Sequence, residues 1–347
     1  MMNSAHGFER DDRIIPVHHQ PACLIDFALA REINSHQLLR GTGIFLEQLQ
    51  ELEKGISPAQ WLRLCDNTER CLAAEDTSFQ IGQRLLPGHY GPVSIALTHA
   101  ADVLQAMQML CQFPAELSPL LAPRLILDER YIGVYWLDSC GLGKQHRFVV
   151  ETAASAVTAM CRWLSGEKLP WRFLFAHDKP DYIEQYHAHL GDDLHFNAHV
   201  DAMILPRQFA TRTWPRAVAS VASKAMHEAE VQRQRQGFQQ SFIAVIYDFV
   251  WQHRRSGCSL EQLSEHLAIS PATCKRKLKL HDNSFQQLHD QMRKHVALYL
   301  YWAKGYRSED VANYLGFHDS TNFRRSFKRW TGQLPSVIRD WLPQLGL

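Results

Sequence analysis

The chain lacks most of the marks that assign a protein quickly. Its eight cysteines stand at 23, 65, 71, 111, 140, 161, 258 and 274 and form no C-x-x-C pair. That excludes a zinc ribbon and a thioredoxin-type redox centre. No run of about 18 apolar residues occurs, so no membrane-spanning helix is expected. The stretch Pro92–Pro114 comes closest, and Thr98, His99, Asp102, Gln105 and Gln108 interrupt it. The start, MMNSAHGFERDDRIIPVHH, has no apolar core and carries Glu9, Asp11 and Asp12, unlike a secretory signal. A soluble, cytoplasmic protein is expected, with cysteines acting as small hydrophobes in a reducing compartment. The patterns G-x-S-x-G, G-x-x-x-x-G-K, H-E-x-x-H and G-x-G-x-x-G are all missing. No enzymatic activity, catalytic residue or cofactor is therefore assigned.

What is present is globular: 347 residues, 46% hydrophobic and 21% charged. That length suits about two domains with cores of their own. The net charge is only +1, but it is unevenly spread. Residues 238–347 hold 15 Lys and Arg against 9 Asp and Glu, and the preceding residues hold 22 against 27. An acidic front and a basic tail fit a sensor joined to an anion-binding module.

The front part mixes helices and short strands. Residues 45–86 read as helices, with Pro58 at a first turn. RLILDERYIGVYWL (124–137) reads as two strands around an Asp128–Glu129–Arg130 turn. His146–Ser165 has helical spacing and ends at Gly166. WRFLFAH (171–177) reads as a strand, PDYIEQYHAHLG as a short helix, and HFNAHVDAMIL as a strand region. From Arg216 onward only helices are expected, with a polar stretch at Gln232–Gln240 that suits a linker.

The tail carries the informative pattern. In SLEQLSEHLAISPATCKRKLK (259–279), Leu260, Leu263 and Leu267 form one helical stripe. Ala268 and Ile269 fill a tight turn, Ser270 is an N-cap, and Pro271 opens a second helix. That helix turns Cys274 and Leu278 inward and carries Lys275, Arg276, Lys277 and Lys279. It is a helix-turn-helix with a basic second helix. The pattern recurs in SEDVANYLGFHDSTNFRRSFKR (308–329), where Arg325 takes the place of Arg276 and Phe327 that of Leu278, an offset of 49 residues. Between the two units, Phe285, Leu288, Met292, Val296 and Leu300 mark one long helix. About 20 helical residues span roughly 30 Å, close to the ~34 Å between successive major-groove faces of B-DNA. One chain could thus set two recognition helices in adjacent turns of a duplex.

Residues 308–339 resemble the signature of the AraC/XylS family of bacterial transcription regulators, through Val311, Ala312, Leu315, Gly316, Phe317, Phe323, Arg325, Phe327, Lys328, Gly332, Pro335 and Arg339. The resemblance runs from Leu260 to Arg339. It departs from the family in the first unit, where Ala268 replaces the usual Gly, Ser264 the usual Ala and Cys274 the usual Leu. The front segments GHYGPVSIALTHAADVLQAM and WRFLFAHDKPDYIEQYHAHLGDDLHFNAHVDAMILP resemble the arabinose-binding-domain-like, ornithine-regulator-like subset. Its regulators respond to amino-acid metabolites or act in virulence and quorum circuits.

The resemblance implies an α+β effector-binding and dimerisation domain (1–215), a helical linker (216–240) and an all-α DNA-binding domain with two helix-turn-helix units (241–347). Implied base-reading positions are Ala272, Lys275, Arg276, Ser320, Thr321, Arg324 and Arg325. Lys279, Lys328 and Arg329 fall where phosphates are held. Lys277 and Lys304 are read as solvated helix face, and Phe317, Phe323, Phe327 and Trp330 as core. Implied partners are a double-stranded DNA operator, a small-molecule effector of unknown identity, RNA polymerase for an activator, and a second copy in a homodimer. An apolar or amphipathic effector is expected within residues 20–210, its ligand-binding residues unassigned. The alternatives are a metal- or redox-responsive regulator using front-domain His and Cys residues, or a non-DNA protein-interaction module. His195 and His199 do not suggest a metal site. Alternation of Leu194, Phe196, Ala198 and Val200 reads as a strand, in which residues four apart lie about 13 Å from each other.

Overall fold

Strand-forming sequence is confined to the front of the chain. In the computed structural model, which describes residues 6–51, 54–237 and 240–341, no strand among the described residues follows Pro206. The chain divides into two units, Met1–Phe242 and Ile243–Leu347. The first is α+β and the second all-helical.

In the first unit, β1 (Ile15–Pro16) pairs antiparallel with β2 (Gly55–Ile56). The main sheet holds β3 (Leu121–Leu127), β4 (Tyr131–Asp138), β5 (Arg172–Leu174), β6 (Leu194–His195) and β7 (Ala202–Pro206). Its order is β3-β4-β7-β5-β6, antiparallel except for the β5–β6 pair. The β3–β4 hairpin turns where Asp128 is, because its carboxylate accepts from the backbone N–H groups of Arg130 (2.8 Å) and Tyr131 (2.9 Å).

The helix His146–Ser165 buries Phe148, Val150, Ala154, Val157, Met160, Cys161 and Leu164, and ends at Gly166 as its spacing predicts. It packs closely on the helix Thr77–Leu85. A Cβ on Gly82 would stand 2.4 Å from the Thr152 carbonyl oxygen, so the approach requires glycine there. Residues 45–86 are less helical than their composition suggests. They include a 3-10 turn at Leu46–Gln50 and β2 before the helix Pro58–Leu72, which Ser57 and Gln60 cap reciprocally.

The strand expected through residues 194–201 is a correction. Pairing stops at His195, because Asn197 (φ +57°) and His199 (φ +61°) are left-handed and cannot continue a pleat. The loop is held by the Asp201 carboxylate, which accepts from the Ala176 N–H at 2.8 Å. Alternating polarity here reflects a folded loop and not a pleated surface. Farther on, the helix Ala219–Gln236 lies within the stretch read as a linker. It buries Ala222, Ala225 and Ala229 and packs on the helix Pro92–Thr98, so it is part of the first unit.

Candidate nucleic-acid interface

The second unit builds its two helix pairs by the same local means. The helix Leu260–His266 starts at Ser259, whose hydroxyl accepts from Gln262 N–H (3.3 Å) while the Gln262 side chain accepts from Ser259 N–H (2.8 Å). Ser270 caps the helix Pro271–Leu280, accepting from Thr273 N–H at 3.1 Å, and Pro271 fills the first helical position. In the second pair, Asp310 accepts from Arg307 N–H (3.0 Å) at the head of the helix Ser308–Tyr314. Asp319 caps the helix Ser320–Thr331, accepting from Asn322 N–H at 2.7 Å.

The turns match with one difference. Ile269 N–H donates to Ser264 O (3.0 Å), and Phe317 N–H to Ala312 O (2.9 Å). Up to this point equivalent residues are 48 apart. From the caps Ser270 and Asp319 onward they are 49 apart, so His318 is one extra turn residue in the second unit.

Both turns place a left-handed residue after the first helix: Ala268 at φ +52° and Gly316 at φ +70°. A Cβ on Gly316 would also stand 2.6 Å from the Arg255 carbonyl oxygen. Ala268 bears the strain that glycine avoids, about 1–2 kcal/mol. Ala268→Gly should therefore stabilise the second unit by about 0.5–1 kcal/mol after the loss of chain entropy. Urea denaturation would read this, and an unchanged or lowered midpoint would contradict it.

The cores form as the stripes predict. Leu263, Leu267, Cys274 and Leu278 are buried in the first pair, and Val311, Ala312, Leu315, Phe323 and Phe327 in the second. Phe317 and Trp330 are half-buried and touch Phe323 edge-on. The departures in the first unit are accommodated. The Ser264 hydroxyl donates to Leu260 O at 2.7 Å, and burial pushes the Cys274 thiol up. Burial likewise raises Cys65, Cys140 and Cys161, the opposite of what a redox-sensing thiolate needs.

The helix Phe285–Lys304 joins the pairs and buries Leu288, Met292, Val296 and Leu300. It also buries His295, whose Nδ1 lies 2.9 Å from the Tyr247 hydroxyl. Burial holds His295 well below its ordinary range. A neutral histidine thus pins the joining helix to the helix Phe242–Gln252. This polar tie is invisible in the sequence, because Tyr247 and His295 each sit on an otherwise apolar stripe.

The outward faces carry the charge. Ala272, Lys275, Arg276 and Lys279 are exposed on one second helix. On the other, Thr321, Arg324, Arg325, Lys328 and Arg329 are exposed and Ser320 is half-buried. Arg324 is engaged by Glu309 (3.2 Å) and Arg329 by Asp290 (3.1 Å). Arg276 and Arg325, equivalent in the two units, have no polar side-chain partner among the described residues. The acidic partners Glu309 and Asp290 have no sequence signature, since they lie 15 and 39 residues away. Arg254 and Arg255 were missed as well. Arg254 Nε donates to the Tyr314 hydroxyl (3.2 Å), and the Arg255 guanidinium stands 4.6 Å from that ring.

Among the described residues no group of three or more His, Cys, Asp or Glu could hold a metal ion. His187 and His195 instead meet Asp192 (3.0 Å) and Asp193 (2.7 Å). No helix among them is long and apolar enough to cross a membrane.

Residues 33–214 match the arabinose-binding domain of AraC transcription regulators, and residues 263–340 match a helix-turn-helix domain family. The chain is 24% identical to the ornithine utilization regulator of Pseudomonas aeruginosa over 94% of its own length and 96% of that protein's. It is 28% identical to the regulator VqsM of the same organism over 24% of this chain and 25% of that one. The crystal structure of the regulator CdpR, also from Pseudomonas aeruginosa, aligns with 92% of this chain and 98% of its own, at 17% identity and a TM-score of 0.44. Since the arabinose-binding match alone covers more than half of the sequence and the helix-turn-helix match follows it, this chain belongs to the AraC family of transcription regulators, with an N-terminal ligand-binding domain and a C-terminal helix-turn-helix DNA-binding domain.

Proposed function

We propose that this regulator works in the cytoplasm as a homodimer and reads a bipartite operator with the helices Pro271–Leu280 and Ser320–Thr331. A small metabolite held by the first unit changes its engagement of promoter DNA. The observation that carries this reading is the pair of equivalent, exposed arginines, Arg276 and Arg325, which have no polar side-chain partner among the described residues. A guanidinium can present two donors to guanine O6 and N7. Ala272, Lys275, Ser320, Thr321 and Arg324 complete the proposed base-reading set. Ala272 offers only a methyl group, and Arg324 must exchange Glu309 for a base. Lys279, Lys328 and Arg329 are proposed to hold phosphates, Arg329 by exchanging Asp290. The metabolite class is proposed from the relative named for ornithine utilization. RNA polymerase is the further partner if the output is activation, and the helix Ala219–Gln236 or the rest of the first unit supplies the dimer contact.

Selection of bound sequences from random duplex DNA, with the full chain at a stated salt concentration, tests the reading. Two half-sites about one helical turn apart are expected. Enrichment of no motif, with and without added metabolites, would overturn it. Lys328→Ala should weaken binding to all sequences alike and reduce the salt slope by about 1. A change in base preference would instead place Lys328 at a base edge.

A further inference from the structure

Three hollows among the described residues of the first unit could hold an effector, and they differ in size and charge. An apolar cavity lined by Leu24, Trp61, Ile81, Leu110, Trp136 and Phe148 has a volume of about 50 Å³. That is room for one or two waters, so an apolar effector would have to force the core apart. A second recess of about 420 Å³ is lined by Arg40, Arg63 and Arg70. Asp66 already neutralises two of these, at 3.5 Å from Arg63 and 2.6 Å from Arg70.

The third recess, of about 490 Å³, opens between the helix Gln20–Leu29 and the end of the helix Thr77–Leu85. This is a usual size for a small-molecule site. Two guanidinium groups stand against one buried ring there: Arg31 lies 3.6 Å and Arg84 5.3 Å from the Phe27 centroid. Arg31 is fixed by hydrogen bonds to Phe27 O and the Gln80 side chain. Arg84 has no hydrogen-bonded or ionic side-chain partner among the described residues. The inner wall is His19, which is only 9% exposed and packs on Tyr90 (5.1 Å between ring centres). Its Nδ1 faces the protein interior and has no hydrogen-bond partner among the described residues. Burial, with neighbouring His18, lowers His19 to about 4, so its ring is neutral near pH 7.

We propose that this recess is a ligand site for a small organic carboxylate, whose anionic group meets Arg84. The Phe27, His19 and Tyr90 rings pack against the body of the molecule. Asp26 at the rim is a second polar contact and disfavours molecules with more than one negative charge on that side. The inference deepens the effector reading above and rests on it. It places the effector in an open, charged recess, not in the apolar core.

The test uses the full chain and a fluorine NMR reporter, 4-fluorobenzoate, with 4-fluorobenzamide as its neutral counterpart. The benzoate signal should broaden with the native protein, and the benzamide should bind at least fivefold more weakly. Arg84→Gln should weaken benzoate binding at least tenfold. Arg63→Gln, in the other recess, should leave it unchanged. Thermal melts establish that each variant is folded. Absence of benzoate broadening, equal binding of the two probes, or a loss caused by Arg63→Gln and not by Arg84→Gln would overturn the site. Operator selection on the same samples separates the two readings. A protein that selects a DNA motif and ignores benzoate loses only the recess, whereas failure to select DNA removes the regulator reading itself.

Discussion

Phe323→Ala should cost the second unit about 3–5 kcal/mol, the largest effect of any single change considered. Phe323 is fully buried. Its ring meets Phe317 at 5.5 Å, Phe327 at 5.6 Å, Trp330 at 6.3 Å and Tyr301 at 6.4 Å, centroid to centroid. Removing it leaves a void bounded by four rings that rest on each other and cannot all shift inward. A domain of this size has about 5–15 kcal/mol in total, so much of its margin would go. Residue-resolved hydrogen exchange on the full chain is the appropriate measurement, because two units need not unfold together. Protection should fall across Ser308–Thr331 and persist in the main sheet of the first unit. A loss below about 1 kcal/mol would contradict the packing argument.

Arg325→Ala should leave the fold intact and cost about 1–3 kcal/mol at the cognate operator, relaxing preference at one base pair. The side chain is exposed and has no polar partner among the described residues, so its removal strands no buried group. Arg324→Ala should cost less, because Arg324 gives up its contact with Glu309 before it can reach a base. Competition binding against a library of single-base variants checks both. An unchanged preference profile for Arg325→Ala would argue against base readout at that position.

Much of the second unit was legible in the sequence because its rules are local. The cap Ser270 acts over three residues, and the stripes Leu263/Leu267 and Phe323/Phe327 repeat at helical spacing, whereas the caps Ser259 and Asp319 emerge only in the structure. The turn glycine at 316 was legible for the same reason. Contacts between distant residues were not. Arg329 finds Asp290, and Tyr247 finds His295, only after the helices have packed. In the first unit the hairpin at Asp128 and the helix His146–Ser165 could be read directly. The loop after His195 could not, since Asn197 and His199 break an alternation that looks unbroken in the letters. The carboxylate recess was equally hidden. His19 and Arg31 flank the helix Gln20–Leu29 and Arg84 lies in the last turn of a separate one, and nothing in the sequence marks the two helices as neighbours.

The joining helix Phe285–Lys304 has one more consequence, and it concerns the grammar of the promoters this protein can serve. It is an uninterrupted helix of 20 residues, tied along its length by buried side chains. A rigid spacer fixes both the distance and the rotational phase between whatever its two ends grip. One added base pair in a duplex turns the far half of a site by roughly a tenth of a helical turn. On the reading proposed above, an operator for this protein tolerates little change in the spacing between its two half-sites.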